Sequence, residues 1–176
     1  LTSSLAALVR ATPAALSGQH IGNALYGMQS MSSDSEEVRE LASALAKKVL
    51  ESEERLEAQH VGNAFYGLQG MTSEWPAVRE LVQALAGKAA ASREPLSARQ
   101  VANALYGLQG MRGDWPWVRE AVAVLAAKVQ ACSDEFSAQE SSNALYGLQL
   151  MPSSWPEVQG VIALVSGKTD MSKVSA

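Results

Sequence analysis

Apolar residues recur along this chain at spacings of three and four, the spacing that one face of an α-helix requires. In residues 101–111 the apolar stripe consists of Val101, Ala104, Leu105, Leu108 and Met111. A second stripe follows at Val118, Val122, Leu125 and Val129. Each stripe predicts one amphipathic helix, and the two in succession predict a helical hairpin.

The same hairpin pattern recurs four times at a constant step of 40 residues. Its clearest marker is one asparagine per repeat, at Asn23, Asn63, Asn103 and Asn143. A constant period of this length is typical of a solenoid, in which each repeat buries its apolar face only against its neighbours. The predicted fold class is therefore all-α, an α-solenoid of stacked two-helix repeats with a 40-residue period.

The repeat register divides the chain into a leading half and four units. Residues 1–16 are predicted to be the second helix of a preceding repeat plus a linker, because Leu5 and Val9 align with Leu45 and Val49. This alignment indicates a fragment of a longer protein. The repeats are predicted at 17–56, 57–96, 97–136 and 137–176, and the fourth is degenerate with a frayed tail.

Capping signals place the ends of the first helices. These helices are predicted to begin at Ser17, Glu57, Ser97 and Ser137. Ser97 with Gln100 and Ser137 with Glu140 match the capping box, in which two side chains satisfy each other's free amides. Gly70 and Gly110 fit a C-terminal stop in the left-handed conformation.

The second helices are predicted from about residue 35 to 49 and at each later step of 40. Three of them begin with a tryptophan and a proline: Trp75-Pro76, Trp115-Pro116 and Trp155-Pro156. Proline in the first turn loses no hydrogen bond, and the tryptophans are interpreted as corner residues that close the end of the helical core. Ser154 with Glu157 predicts a further capping box.

Composition narrows the possible functions. Apolar residues make up 47% of the 176 residues, and the formal net charge is −4, the wrong sign for a protein held to nucleic acid mainly by phosphate neutralisation. Cys132 is the single cysteine, so no disulfide framework is expected, and it is interpreted as a small loop or rim residue. No apolar run approaches the roughly 18 residues that a spanning helix needs, so we expect no membrane insertion.

The sequence contains no recognisable catalytic constellation. We find no Ser/His/Asp set, no paired carboxylates at a defined spacing and no zinc pattern. His20 and His60 have no cysteine, aspartate or further histidine clustered with them, as a zinc site would require. We therefore expect no enzyme activity, no cofactor and no metal.

The candidate binding face lies on the first helix, opposite its apolar stripe, by a helical wheel of about 100° per residue. Asparagine is unfavourable inside a helix, and each repeated glycine costs roughly 1 kcal/mol relative to alanine. One interpretation is structural: the asparagines and tyrosines form ladders that fix the register between repeats, and the glycines let helices approach closely. The alternative is that the asparagines and tyrosines face a groove and contact a ligand. The candidate residues are Gln19, His20, Asn23, Tyr26, Gln59, His60, Asn63, Tyr66, Arg99, Gln100, Asn103, Tyr106, Gln139, Glu140, Asn143 and Tyr146.

The repeats differ most at the first two positions of this set, where glutamine, arginine, histidine or glutamate stands. Such planar polar side chains can hydrogen-bond or stack on bases, although they are equally ordinary at a solvated helix start. The second helices carry two basic ladders, which are Arg39, Arg79 and Arg119 and then Lys48, Lys88 and Lys128. Inter-repeat ion pairs are the favoured interpretation of both ladders, with a weak phosphate track as the alternative.

One segment supports a family resemblance. It reads Val101-Ala102-Asn103-Ala104-Leu105-Tyr106-Gly107-Leu108 and has a close counterpart at 61–68. This segment resembles the LAN-x-LWALA-type segment of octotricopeptide repeats, which are helical-hairpin repeats of organellar RNA-binding proteins. The resemblance implies a chloroplast or mitochondrial module that acts in RNA processing, stability or translation.

Two functions are therefore carried forward. The first is binding of single-stranded RNA, with about one nucleotide engaged per repeat through first-helix side chains, and it rests on the resemblance. The second is a scaffold that holds a protein partner, in a larger assembly, and it is the function that the residues alone favour.

Overall fold

The structure is a computed structural model that describes residues 2–169. Within that range the chain forms helices joined by short loops, with one isolated bridge between Phe136 and Thr169. The helices are α1 (Thr2–Ala11), α2 (Gly18–Tyr26), α3 (Glu36–Glu51), α4 (Ala58–Tyr66), α5 (Pro76–Ala91), α6 (Ala98–Tyr106), α7 (Pro116–Ala131), α8 (Ala138–Tyr146) and α9 (Pro156–Lys168). The predicted frayed tail at 170–176 lies outside the described residues.

The helices stack in two layers that follow the repeat. The short first helices α2, α4, α6 and α8 pack each against the next in one layer, and the longer α1, α3, α5, α7 and α9 do so in the other. The predicted all-α solenoid of two-helix repeats is confirmed.

The core runs between the two layers as one continuous cluster. Both predicted stripes of repeat 3 lie in it with no solvent exposure: Val101, Ala104, Leu105, Leu108, Met111, Val118, Val122, Leu125 and Val129. A short helix of nine residues is marginal alone, so burial against neighbouring repeats supplies most of its stability.

Side-chain caps start three of the four first helices. Ser97–Gln100 and Ser137–Glu140 form the predicted capping boxes, and Ser17 forms a further box with His20. Glu57 is the N-cap of α4, but its side chain makes no cap hydrogen bond.

The predicted capping box of Ser154 with Glu157 is wrong. The N-cap of α9 is Trp155, one residue later, and no side chain caps it. Pro156 occupies the first turn and restricts the preceding residue to an extended backbone, so the cap falls on Trp155, whose ψ is 127°.

The predicted left-handed stops at Gly70 and Gly110 are also wrong, because no glycine among the described residues has a positive φ. Helix α6 already ends at Tyr106, and Gly107 caps it with a right-handed φ of −59°. These glycines serve close packing instead: a Cβ on Gly107 would lie 1.8 Å from the Phe65 carbonyl oxygen, and one on Gly110 would lie 2.2 Å from that of Met71. Close approach, the structural interpretation of the repeated glycine, is confirmed here.

The lysine ladder joins successive second helices. The Nζ atom of Lys48 donates to the Thr12 carbonyl at 2.7 Å, and that of Lys128 donates to the Ser92 carbonyl at 2.6 Å. Lys88 and Lys168 make the equivalent bonds to the carbonyls of Ser52 and Cys132. Burial lowers the pKa of Lys128 below its usual value of 10.5. The predicted inter-repeat ion pairs are wrong for these lysines, which instead cap helix C-termini of the preceding repeat.

Acidic side chains cap the opposite helix ends. A carboxylate in the loop that leaves each repeat accepts from the first backbone amide of that repeat's first helix. The pairs are Glu54 with Gly18 at 3.0 Å, Glu94 with Ala58 at 3.0 Å, and Asp134 with Ala98 at 3.1 Å. A negative charge at a helix N-terminus also interacts favourably with the helix dipole.

The arginine ladder packs on tryptophans of the following repeat. The guanidinium of Arg39 lies 3.9 Å from the ring centroid of Trp75, and Arg79 lies at the same distance from Trp115. These contacts contradict the predicted ion pairs at Arg39 and Arg79. Arg119 confirms the prediction, since it pairs with a Glu157 carboxylate oxygen at 3.2 Å.

The tryptophans and Cys132 complete the turns between helices. Trp75, Trp115 and Trp155 are half-buried N-caps that pack against the core, at the corner where the sequence places them. Cys132 is the C-cap of α7 and is 1% exposed, so it is a loop residue that is buried.

Candidate functional site

The four asparagines, called here the asparagine row, face outward from the first-helix layer. Asn23 is exposed, and Asn63, Asn103 and Asn143 are half-buried. Among the described residues, the side chains of the first three make no hydrogen bond to protein, whereas the carboxamide oxygen of Asn143 accepts from Gln139 at 2.9 Å. Their carboxamides do not link the repeats, so most of this row is chemically free.

The four tyrosines form a continuous stack beside the asparagine row. Ring centroids of successive tyrosines are 5.8, 5.9 and 5.8 Å apart, with planes inclined by 21–25°, within the ordinary range for aromatic pairs of about 4.5–7 Å. Tyr66 and Tyr106 therefore have a ring against each face, while Tyr26 and Tyr146 at the ends are 42% and 49% exposed. The stack links the repeats and leaves the inner rings no free face.

The second variable position of each repeat, which holds His20, His60, Gln100 and Glu140, contributes to helix capping or to packing between repeats. The side chains of His20, Gln100 and Glu140 accept from their N-cap amides at 3.4, 2.9 and 2.9 Å. His60 instead packs against the preceding first helix, where a Cβ on Gly22 would lie 3.2 Å from the His60 Cβ. In the described part of the chain its Nδ1 atom is buried without a hydrogen-bond partner. Ligand binding by these four residues stays a prediction.

The first variable position, called here the outer position, is exposed in every repeat. It holds Gln19, Gln59, Arg99 and Gln139. Gln139 bonds to Asn143, and the other three have no protein hydrogen bond within residues 2–169. The outer position and the asparagine row thus form one polar surface along the first helices.

Two clefts open on this surface. A cleft of about 270 Å³ between repeats 2 and 3 brings together five of the predicted site residues. Its polar lining is Gln59, Asn63, Ser97, Arg99, Gln100 and Asn103. A second cleft of about 470 Å³ lies between repeats 1 and 2 and is lined by Gln19, Glu54, Arg55, Glu57, Gln59 and His60.

Sequence reasoning missed the acidic part of the second cleft. Glu54 and Glu57 lie in the loop before α4 and at its N-cap, outside the wheel that defined the candidate face. One signal was available: Glu57 stands where the other three repeats have serine.

A wider depression of about 720 Å³ lies on the opposite layer, across α1, α3 and α5. Its lining mixes both charges, with Lys47, Glu51 and Glu80 around Leu50, which is 69% exposed. The sequence pattern did not single out this surface.

The described residues provide neither a metal cluster nor a membrane span. No group of three or more His, Cys, Asp or Glu side chains within residues 2–169 could hold a metal ion. None of the described helices combines the length and apolar character needed to cross a bilayer.

The fold defines the class of this protein as a helical-repeat module. No protein-family model, curated protein or solved structure matches the chain. The resemblance to octotricopeptide repeats therefore stays a prediction from the sequence.

Proposed function

We propose that this protein is a non-enzymatic scaffold that binds an extended polypeptide segment along the asparagine row. One observation carries the proposal. The carboxamides of Asn23, Asn63 and Asn103 face outward without a protein partner among the described residues, although asparagine is an unfavourable choice for a helix interior. A ligand that uses these groups accounts for their presence in every repeat.

The chemistry of a carboxamide suits a peptide backbone. It offers both a donor and an acceptor, and an extended chain presents unpaired N–H and C=O groups at every residue. Packed helices lie about 8–10 Å apart, and an extended chain rises about 3.1–3.4 Å per residue. One asparagine can therefore meet the ligand backbone at about every third residue.

The charge distribution favours a polypeptide over RNA, which is the function that the family resemblance implies. RNA affinity depends on lysine and arginine side chains that neutralise phosphates. Here Lys48, Lys88 and Lys128 are bonded to carbonyls, and Arg39 and Arg79 lie on tryptophans. The outer position supplies a single arginine.

A displayed library of random 16-residue peptides, selected against the immobilised protein, tests the proposal. Each selected peptide is then measured against the Asn63→Ala/Asn103→Ala variant. Losing two hydrogen-bonding carboxamides at about 1 kcal/mol each should weaken binding roughly 10- to 50-fold. Because alanine is the better helix former, the variant should unfold at the same or a higher urea concentration.

The alternatives give different results. If Asn63→Ala/Asn103→Ala lowers the unfolding free energy by 1 kcal/mol or more, the asparagines stabilise the fold itself. The proposal then loses its supporting observation. If no peptide is enriched but random-sequence RNA binds with an affinity that falls steeply between low and moderate salt, the RNA function replaces it. Binding of neither probe refutes both.

A further inference from the structure

Two charged residues distinguish repeats 2 and 3 on the binding surface. The outer position is glutamine in three repeats and Arg99 in the third. The first-helix N-cap is serine in three repeats and Glu57 in the second. These two charged departures are places where the surface can distinguish one ligand sequence from another.

Glu57 has no visible role in holding the fold. It is exposed, and its side chain makes no cap hydrogen bond. The neighbouring amide of Ala58 is already bonded to the Glu94 carboxylate at 3.0 Å. Together with Glu54, Glu57 outnumbers Arg55 in the cleft between repeats 1 and 2, so the charged lining of that cleft is net negative. Glu57 adds this charge while giving up the cap that serine supplies at Ser97.

The side chain of Arg99, like that of Glu57, makes no hydrogen bond or ion pair within the described residues that holds the fold together. It is exposed, and among the described residues no carboxylate lies within 4.0 Å of its guanidinium. It lines the cleft between repeats 2 and 3 beside Asn63 and Asn103, and that cleft has no acidic residue in its lining. A guanidinium offers a planar fork of donors that matches a carboxylate in a bidentate manner.

Building on the proposed function, we propose that the ligand is an extended polypeptide with an acidic side chain bound to Arg99 and a basic side chain facing Glu57. The two clefts are one repeat apart, which corresponds to about three residues of extended chain. The order of the two charges fixes both the direction and the register of the ligand.

This arrangement also separates a polypeptide from RNA. A nucleic acid carries a negative charge at every nucleotide. A strand that placed one phosphate at Arg99 would therefore place another near Glu54 and Glu57, which outnumber Arg55 in the adjoining cleft. A polypeptide can alternate its charges and satisfy both clefts.

The peptide library distinguishes this inference from the proposed function. It is selected against the wild-type protein, Arg99→Gln and Glu57→Ser, each of which introduces the residue that the other three repeats carry. Circular dichroism melting checks that the variants fold. Wild-type selection should enrich an Asp or Glu and a Lys or Arg about three residues apart in one fixed order. Arg99→Gln should weaken binding of those peptides about 10- to 150-fold, as expected for loss of a charge-assisted hydrogen bond.

A charge exchange completes the test. The double variant Arg99→Glu/Glu57→Arg should select peptides with the two charges in the opposite order. If selected peptides depend on Asn63 and Asn103 but show no acidic preference and bind Arg99→Gln as tightly as wild type, this inference is wrong and the proposed function stands. If no peptide is enriched by any of the proteins, both fail together.

Discussion

Replacing Gly107 by alanine should destabilise the protein strongly, whereas the same replacement at Gly87 should stabilise it. Gly87 lies inside α5, where alanine is favoured over glycine by roughly 0.5–1 kcal/mol, whereas Gly107 is the C-cap of α6. The two sites also differ in what a methyl group meets. At Gly87 no atom lies within 4 Å of the added Cβ, but at Gly107 the Phe65 carbonyl oxygen would lie 1.8 Å away.

The size of the effect follows from that distance. Real Cβ atoms essentially never approach another heavy atom within 3.0 Å, so α4 and α6 must separate by more than 1 Å at this point. Because the clash is with backbone, no rotamer change relieves it. A gap of about 0.5–1 Å forfeits roughly a quarter to a half of the dispersion attraction across a contact, and overpacking costs about 1–3 kcal/mol or more. Because Gly107 caps α6 and does not lie inside it, no helix-propensity gain offsets this cost, and Gly107→Ala should lose about 1–3 kcal/mol or more.

Urea denaturation followed by far-ultraviolet circular dichroism measures both variants against wild type. The expected result is a midpoint that falls for Gly107→Ala and rises for Gly87→Ala, with the Gly87 variant gaining about 0.5–1 kcal/mol. If Gly107→Ala is as stable as wild type, the close approach of repeats 2 and 3 is not required by the fold and the reasoning is refuted.

Two further predictions concern charged residues. Glu94→Ala should lower the unfolding free energy by about 1 kcal/mol, because the Glu94 carboxylate caps α4 and the Glu57 side chain does not. Glu53→Ala is the control, since Glu53 is an exposed residue of the loop between α3 and α4. It should change the unfolding free energy little in the same urea titration. The backbone amide of Glu157, and then its bond to Arg119, lower the pKa of that carboxyl below 4.5. Its stabilisation is therefore present above pH 4.5 and lost as the pH falls through the lower folded value, so Glu157→Gln should flatten the stability profile below pH 4.5; an unchanged slope would contradict this assignment.

The sequence was sufficient for the features that depend on local pattern. The apolar stripes of repeat 3, the capping boxes at Ser97 and Ser137 and proline at the start of the second helices depend on residues within one or two turns of each other. Such periodicity and capping chemistry can be read from the chain directly.

The capping box of Ser154 with Glu157 was a local error, because the cap falls on Trp155. The other errors arose where the partner lies about one repeat away. Gly110 fits a left-handed stop locally, but what requires glycine there is the Met71 carbonyl on the preceding repeat. Likewise, the sequence pairs Lys128 with acidic residues by charge, whereas the structure places its ammonium at the Ser92 carbonyl. A wheel shows which side a residue faces and not which backbone atom lies opposite.

The candidate site was predictable in outline only. The wheel placed Arg99 and Asn103 on the outward side, and the structure brings them into one cleft. It could not show that the rings of Tyr66 and Tyr106 are covered on both faces, or that Glu57 faces an adjoining cleft. Both facts depend on how far one repeat is displaced from the next.

The lysine caps connect each repeat to the one before it. The C-terminus of α3 is bonded to Lys88 of the next repeat, whereas the N-terminus of α4 is bonded to Glu94 of its own repeat. Opening of one repeat therefore also removes the C-terminal cap of the second helix on its N-terminal side. A ligand that bridges neighbouring repeats would hold this cap in place, so binding should protect helix ends that the ligand does not touch.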